Sequence, residues 1–187
     1  MPDNTLDLPM DYELYKTTEL NGNILKYLML NVVGFLIFIL LFLIGMIFGP
    51  RIFTMNFISG FIGILSIGLY IITHLFIHGS LMKVFSGVRP YIMKELPLVF
   101  IGSKSYFSKR KYIEILLAPI ILLGIILTIM LIFMPENYFW NIYTIWVLNI
   151  VLSIDDIYLV NQIRKMPKEI LILNKGKEIS YYIKKQN

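Results

Sequence analysis

A run of about 24 residues from Leu25 to Phe48, whose one charge is Lys26 at its start, limits what this chain can fold into. As a helix rising 1.5 Å per residue it is long enough to cross the ~30 Å hydrocarbon layer of a bilayer. Gly49-Pro50 ends it, and a second apolar run begins near Ile52 and continues to about Phe85. A third spans Tyr112 to Phe133 and stops at Met134-Pro135-Glu136, and a fourth runs from Tyr138 to Ile163 behind the interfacial aromatics Tyr138, Phe139 and Trp140. With hydrophobic residues at 57% and a mean hydropathy of +0.73, one soluble core could not hide this much apolar surface, so lipid is expected to solvate part of it. The expected fold is mainly α and polytopic, one membrane domain over residues 1–187, with spans at about 25–48, 52–78, 112–133 and 138–163.

Charge sets the expected orientation. Residues 79–111 hold Lys83, Arg89, Lys94, Lys104, Lys109, Arg110 and Lys111, and the tail 164–187 holds Arg164, Lys165, Lys168, Lys175, Lys177, Lys184 and Lys185. The connections on the other side hold only Arg51. Basic loops stay in the cytoplasm, so the loop 79–111, the tail 164–187 and the N-terminal segment 1–24 are all expected there, in a multi-pass protein of the cell membrane. The net charge of +5 is spent on this juxtamembrane pattern rather than on a nucleic-acid surface. The N-terminal segment is polar and acidic (Asp3, Asp7, Asp11, Glu13, Glu19), unlike a cleavable signal peptide. There is no cysteine, which excludes disulfides, thiolate metal sites and cysteine nucleophiles.

Two stretches break the helical pattern. Arg89 to Phe107, with Pro90, Pro97 and Gly102 around Leu98-Val99-Phe100-Ile101, predicts short strands or a loop at the cytoplasmic interface. In the tail, Ile170-Leu-Ile-Leu173 and Ile179-Ser-Tyr-Tyr-Ile183 flank Asn174-Lys-Gly176 and predict a terminal β-hairpin.

Ionisable groups within spans are functional suspects because hydrocarbon penalises them. His74 and His78, the chain's two histidines, lie one helical turn apart on one face, a spacing suited to chelating one zinc ion. A carboxylate is a common third ligand. His74 falls about 22 residues into an inward-running span and Asp156 about 18 residues into another, a difference of about 6 Å in depth. All three could therefore meet near the cytoplasmic end, although interfacial histidines that bind nothing fit the same pattern. Asp155 reads as a water-facing or Lys-paired carboxylate. Asn149 and Thr73 read as inter-helix hydrogen-bonding groups, and Ser59, Gly60, Gly63 and Gly68 as marks of close helix packing.

Taken in order, several segments resemble a bacterial family of small membrane zincin peptidases, distantly similar to site-2 intramembrane proteases. Leu8-Pro-Met-Asp-Tyr-Glu-Leu14 resembles its N-terminal stretch, and His74-Leu-Phe-Ile-His-Gly79 stands where the family carries HExxHG. Tyr106-Phe-Ser108 and the segment from Tyr112 through Leu116-Leu-Ala-Pro119 resemble the approach to its third span. Asp155-Asp-Ile-Tyr158 stands at the family's Gly-Asp motif, and Lys165-Met-Pro-Lys168 resembles the exit from its last span. The resemblance implies zinc, with His74, His78 and Asp156 as ligands. It also exposes a departure, because the family's glutamate position is Leu75. In zincins that carboxylate takes a proton from the attacking water and passes it to the leaving amine, work worth about 10²–10⁴-fold and beyond leucine. Glu114, just inside the third span, and Asp155 are the candidates for a displaced base. For Glu114 the plainer expectation is a helix-start carboxylate paired with Lys111.

Three functions remain open on the sequence. One is a metallopeptidase cutting peptides or membrane-protein segments at the cytoplasmic face, with the 89–107 segment offering a strand edge to its substrate. Another is a pseudoprotease that keeps the fold and the metal and holds a peptide or protein partner. The last is a small channel, transporter or immunity-type membrane protein. Leu75 favours the second over the first, and the family resemblance favours both over the third.

Overall fold

The computed structural model describes residues 4–19, 24–51, 57–95 and 98–185. The chain runs β1 (Asn4–Thr5), β2 (Tyr12–Glu19), α1 (Ile24–Phe48), α2 (Phe57–Ser86), β3 (Tyr91–Glu95) and β4 (Leu98–Ser108), then α3 (Lys109–Phe133), a single 3₁₀ turn (Glu136–Tyr138), α4 (Phe139–Leu152), α5 (Ile154–Arg164), β5 (Leu171–Lys175) and β6 (Glu178–Lys184). Among the described residues, four helical stretches are long and apolar enough to cross a membrane: Ile24–Phe48, Gly60–Ser86, Lys109–Phe133 and Glu136–Arg164. Only 11% and 6% of the apolar stretches of the first two are buried against protein, which leaves long apolar surfaces exposed.

Three boundaries differ from expectation. Helix α2 continues through Ser86, beyond the 78 at which its span was expected to end, because Leu81, Met82 and Phe85 have a protein core to pack into. The expected start of that span, residues 52–56, lies outside the described residues. The fourth span is two helices, because Ser153 takes φ −87° and ψ 2°, outside helical geometry. The acidic N-terminal segment, expected as a polar tail, contributes β1 and β2 to a sheet.

That sheet is antiparallel in the order β1-β4-β5-β6-β2, with β3 also paired to β4. The predicted terminal hairpin is present as β5 and β6, with Leu171 opposite Tyr182 and Asn174 opposite Ile179. Gly176, at φ +90°, supplies its turn, and the Asn174 side chain accepts a hydrogen bond from the Gly176 N–H at 2.7 Å. The 89–107 segment forms β3 and the long β4 rather than a loop. Strand β2 forms an edge and is largely exposed, with Glu13, Lys16 and Glu19 on it, which discourages further pairing.

Chain contacts divide the molecule into two units, and α1, α2, α3 and α5 each contribute residues to both. One comprises residues 1–27, 75–117 and 156–187. Its core joins Phe107, Ile170, Ile172, Ile179 and Tyr181 to Met82, Tyr112, Ile115, Leu116, Leu159, Val160 and Ile163. Lys109 Nζ donates to the Arg164 and Met166 carbonyls at 2.9 and 2.5 Å, satisfying acceptors left open at the end of α5. Burial in this core pushes the Tyr181 hydroxyl up to about 12, so it stays neutral at physiological pH. The other unit comprises residues 28–74 and 118–155 and packs around Trp140, Tyr143 and Val147 with Phe38, Phe42 and Leu131. There the Tyr143 hydroxyl donates to the Leu41 carbonyl and the Trp140 indole to the Pro50 carbonyl.

Candidate metal centre

Helix α2 carries His74 and His78 in one continuous helical stretch, so their spacing of four places both rings on one face. Asp156 comes from the first turn of α5, just after the Ser153 break. His74, His78 and Asp156 each offer a ligand atom, and these atoms lie within 4.8 Å of one another. The three side chains expected from their depth to meet therefore lie close together. His74 is 8% exposed, and the side chains of His78 and Asp156 are 11% and 16% exposed. Water is therefore largely displaced and the groups must satisfy one another or a ligand.

Hydrogen bonds fix which ring nitrogen each histidine offers. His78 Nδ1 lies 3.0 Å from the Ile115 carbonyl oxygen, an acceptor, so Nδ1 carries the proton. His74 Nδ1 lies 3.1 Å from the Tyr70 hydroxyl. That hydroxyl donates to Asn149 Oδ1 at 3.1 Å, while Asn149 Nδ2 donates to the Ile120 carbonyl at 3.1 Å. With the amide oriented by a carbonyl and the hydroxyl proton committed to the amide, the Tyr70 oxygen accepts from His74 Nδ1–H. Held by Nδ1, each imidazole has Nε2 as the nitrogen available to a metal. Partners of this kind commonly orient metal-binding imidazoles.

The contact between His78 Nε2 and Asp156 Oδ2, at 3.4 Å, tests whether a metal fits. An imidazole lone pair facing a carboxylate oxygen is repulsive unless a cation, a proton or a metal ion, lies between them. Two neutral imidazoles and a carboxylate form a donor set suited to zinc, and the edge of a tetrahedron with ~2.1 Å bonds is about 3.4 Å. The residues present therefore fit the metal.

The candidate substitute bases stand elsewhere in the chemistry. Glu114 is held by Arg110 at 3.0 Å and Lys111 at 3.1 Å, the helix-start pairing expected of it. Asp155 is exposed. Among the described residues neither belongs to the group formed by the two histidines and Asp156. Leu75 is half-buried on α2, directly after His74. Asn149 does hydrogen-bond between helices, as expected, whereas Thr73 turns back to the Leu69 carbonyl of its own helix. Tyr70 was not anticipated, although its place four residues before His74 extends the 74/78 stripe by a turn. The Ile115 carbonyl was not anticipated either; its signal in the sequence is Pro119.

A family profile described as "putative zincin peptidase" matches residues 67–171, more than half of the chain. The chain belongs to this family. The matched segment contains His74, His78 and Asp156, and membership implies zinc for the site they form. No curated protein and no solved structure matches the chain.

Proposed function

We propose that this zincin-family chain is an integral membrane protein that binds zinc through His74, His78 and Asp156 and holds a peptide or membrane-protein segment without hydrolysing it. The observation that supports the reading is Leu75 directly after His74, in a chain whose His74, His78 and Asp156 are close enough to hold one metal ion. Bound zinc would supply Lewis acidity and lower the pKa of a coordinated water. The chain's own residues bind and orient: Tyr70 and the Ile115 carbonyl set the two imidazoles. None of His74, His78 and Asp156 is left to shuttle a proton to a leaving amine once all three are ligands. Glu114 is engaged by two cations, which argues against its standing in as a base. The Lys and Arg distribution supports placing the sheet-forming segments, the site and both ends of the chain on the cytoplasmic side.

The test is metal content and turnover on the detergent-solubilised protein. Wild type should carry close to one zinc per chain, and His74→Ala with His78→Ala should abolish it. Wild type should show no zinc-dependent cleavage across a panel of peptides and unfolded proteins. Leu75→Glu should gain cleavage, by about 10²–10⁴-fold over any residual rate, if the glutamate is all that is missing. Robust wild-type cleavage that His78→Ala removes would overturn the non-hydrolytic part of the proposal. Absence of zinc from wild type would overturn the metal part.

A further inference from the structure

In an α-helix the N–H of each residue bonds to the carbonyl four positions earlier, so the residue at 119 should satisfy the Ile115 carbonyl. Proline has no N–H, and Pro119 lies inside α3, which nevertheless continues to Phe133. The Ile115 carbonyl is released from the ladder at a place where Ile115 is 0% exposed and Pro119 is also fully buried. A buried acceptor needs a partner, and a proline within an apolar helix is tolerated where a neighbour provides one. His78 does so, with Nδ1 3.0 Å from that oxygen. One residue past the proline, the Ile120 carbonyl takes the Asn149 amide that leads through Tyr70 to His74. The stretch of α3 bracketing Pro119 therefore ends the hydrogen-bond chains of both histidines.

We infer that Pro119 is a positioning residue for the metal centre: by withholding an N–H it reserves the Ile115 carbonyl for His78, holding that imidazole by its Nδ1–H with Nε2 turned towards Asp156. The inference rests on the proposed metal site, but its geometric part concerns the protein alone. Without Pro119, a helical N–H would compete for the same oxygen and the His78 ring would lose that anchor.

Because the chain has two histidines, ¹⁵N-histidine NMR of the metal-free protein in detergent is simple to assign, with His74→Gln identifying the His78 signals. Wild-type His78 should show a protonated, hydrogen-bonded Nδ1. In Pro119→Ala the signal of that Nδ1–H should shift or broaden as the hydrogen bond is lost. Zinc affinity, measured by chelator competition, should weaken about 10–100-fold, the usual effect of losing an outer partner of a ligand. Thermal stability should not fall in parallel, because alanine is a far better helix residue than proline. A variant that loses its fold together with its metal would mark Pro119 as merely structural and overturn the inference. So would a wild-type His78 with no proton on Nδ1, or a variant with an unchanged Nδ1 signal and unchanged affinity. Wild type with the expected Nδ1 hydrogen bond but no zinc affinity would sink the proposed function while leaving the positioning of His78 intact, so the two failures are distinguishable.

Discussion

At the scale of single residues, the site depends on direction of donation more than on proximity. Tyr70 is 5% exposed and its oxygen serves two partners, accepting from His74 and donating to Asn149. Tyr70→Phe preserves the ring and its edge-on contact with His74 but removes the oxygen. It leaves the His74 Nδ1–H and Asn149 Oδ1 to find new partners in a buried setting, at a cost of about 1–3 kcal/mol. Zinc affinity should drop about 10–100-fold through loss of orientation. Chelator competition checks the affinity and denaturation in detergent checks the stability. Glu114 makes the opposite case. Its two cations explain its presence without catalysis, so Glu114→Gln should leave zinc content unchanged.

At the scale of elements, glycine had to be judged by surroundings. Gly60 and Gly68, expected at tight helix contacts, face open space, and the side chain of Ser59 lies outside the described residues. Gly63 fits the expectation, since an added Cβ would stand 2.9 Å from Asn141 Oδ1. Tight helix contacts lie instead on α1 and just beyond its end, where a Cβ on Gly45 or Gly49 would overlap the rings of Tyr143 and Phe139. Gly176 is different again: space is ordinary there, but its φ of +90° disfavours any side chain. Gly176→Ala should destabilise the β5–β6 hairpin by about 1–2 kcal/mol. The hairpin carries Ile172, Ile179 and Tyr181 into the core, so the midpoint for unfolding of that unit should fall measurably, while zinc affinity at saturating folding conditions stays near wild type.

At the scale of the whole molecule, the absence of cysteine makes orientation directly measurable. Lys168→Cys and Arg51→Cys each introduce one thiol at an exposed position. In intact cells a membrane-impermeant maleimide should label the cysteine at 51, whereas the cysteine at 168 should react only after permeabilisation. The reverse pattern would invert the proposed topology and place the metal centre at the outer face.

The sequence by itself determined the four apolar spans, the hairpin turn at Asn174–Gly176, the one-face placement of His74 and His78, and the substitution at Leu75. Each is a matter of local period or composition: span length against bilayer thickness, a positive-φ turn, a spacing of four, a missing carboxylate. Tertiary structure decided what depends on partners far along the chain. The acidic N-terminal segment became an edge strand because β6 offered it a ladder, with Tyr12 opposite Lys184 and Glu19 opposite Glu178. The last span broke at Ser153, beside Asp156. Pro119 reads in sequence as a helix defect, and only the folded chain turns the carbonyl it frees into the anchor of a histidine, because a released acceptor has no fixed partner until packing supplies one.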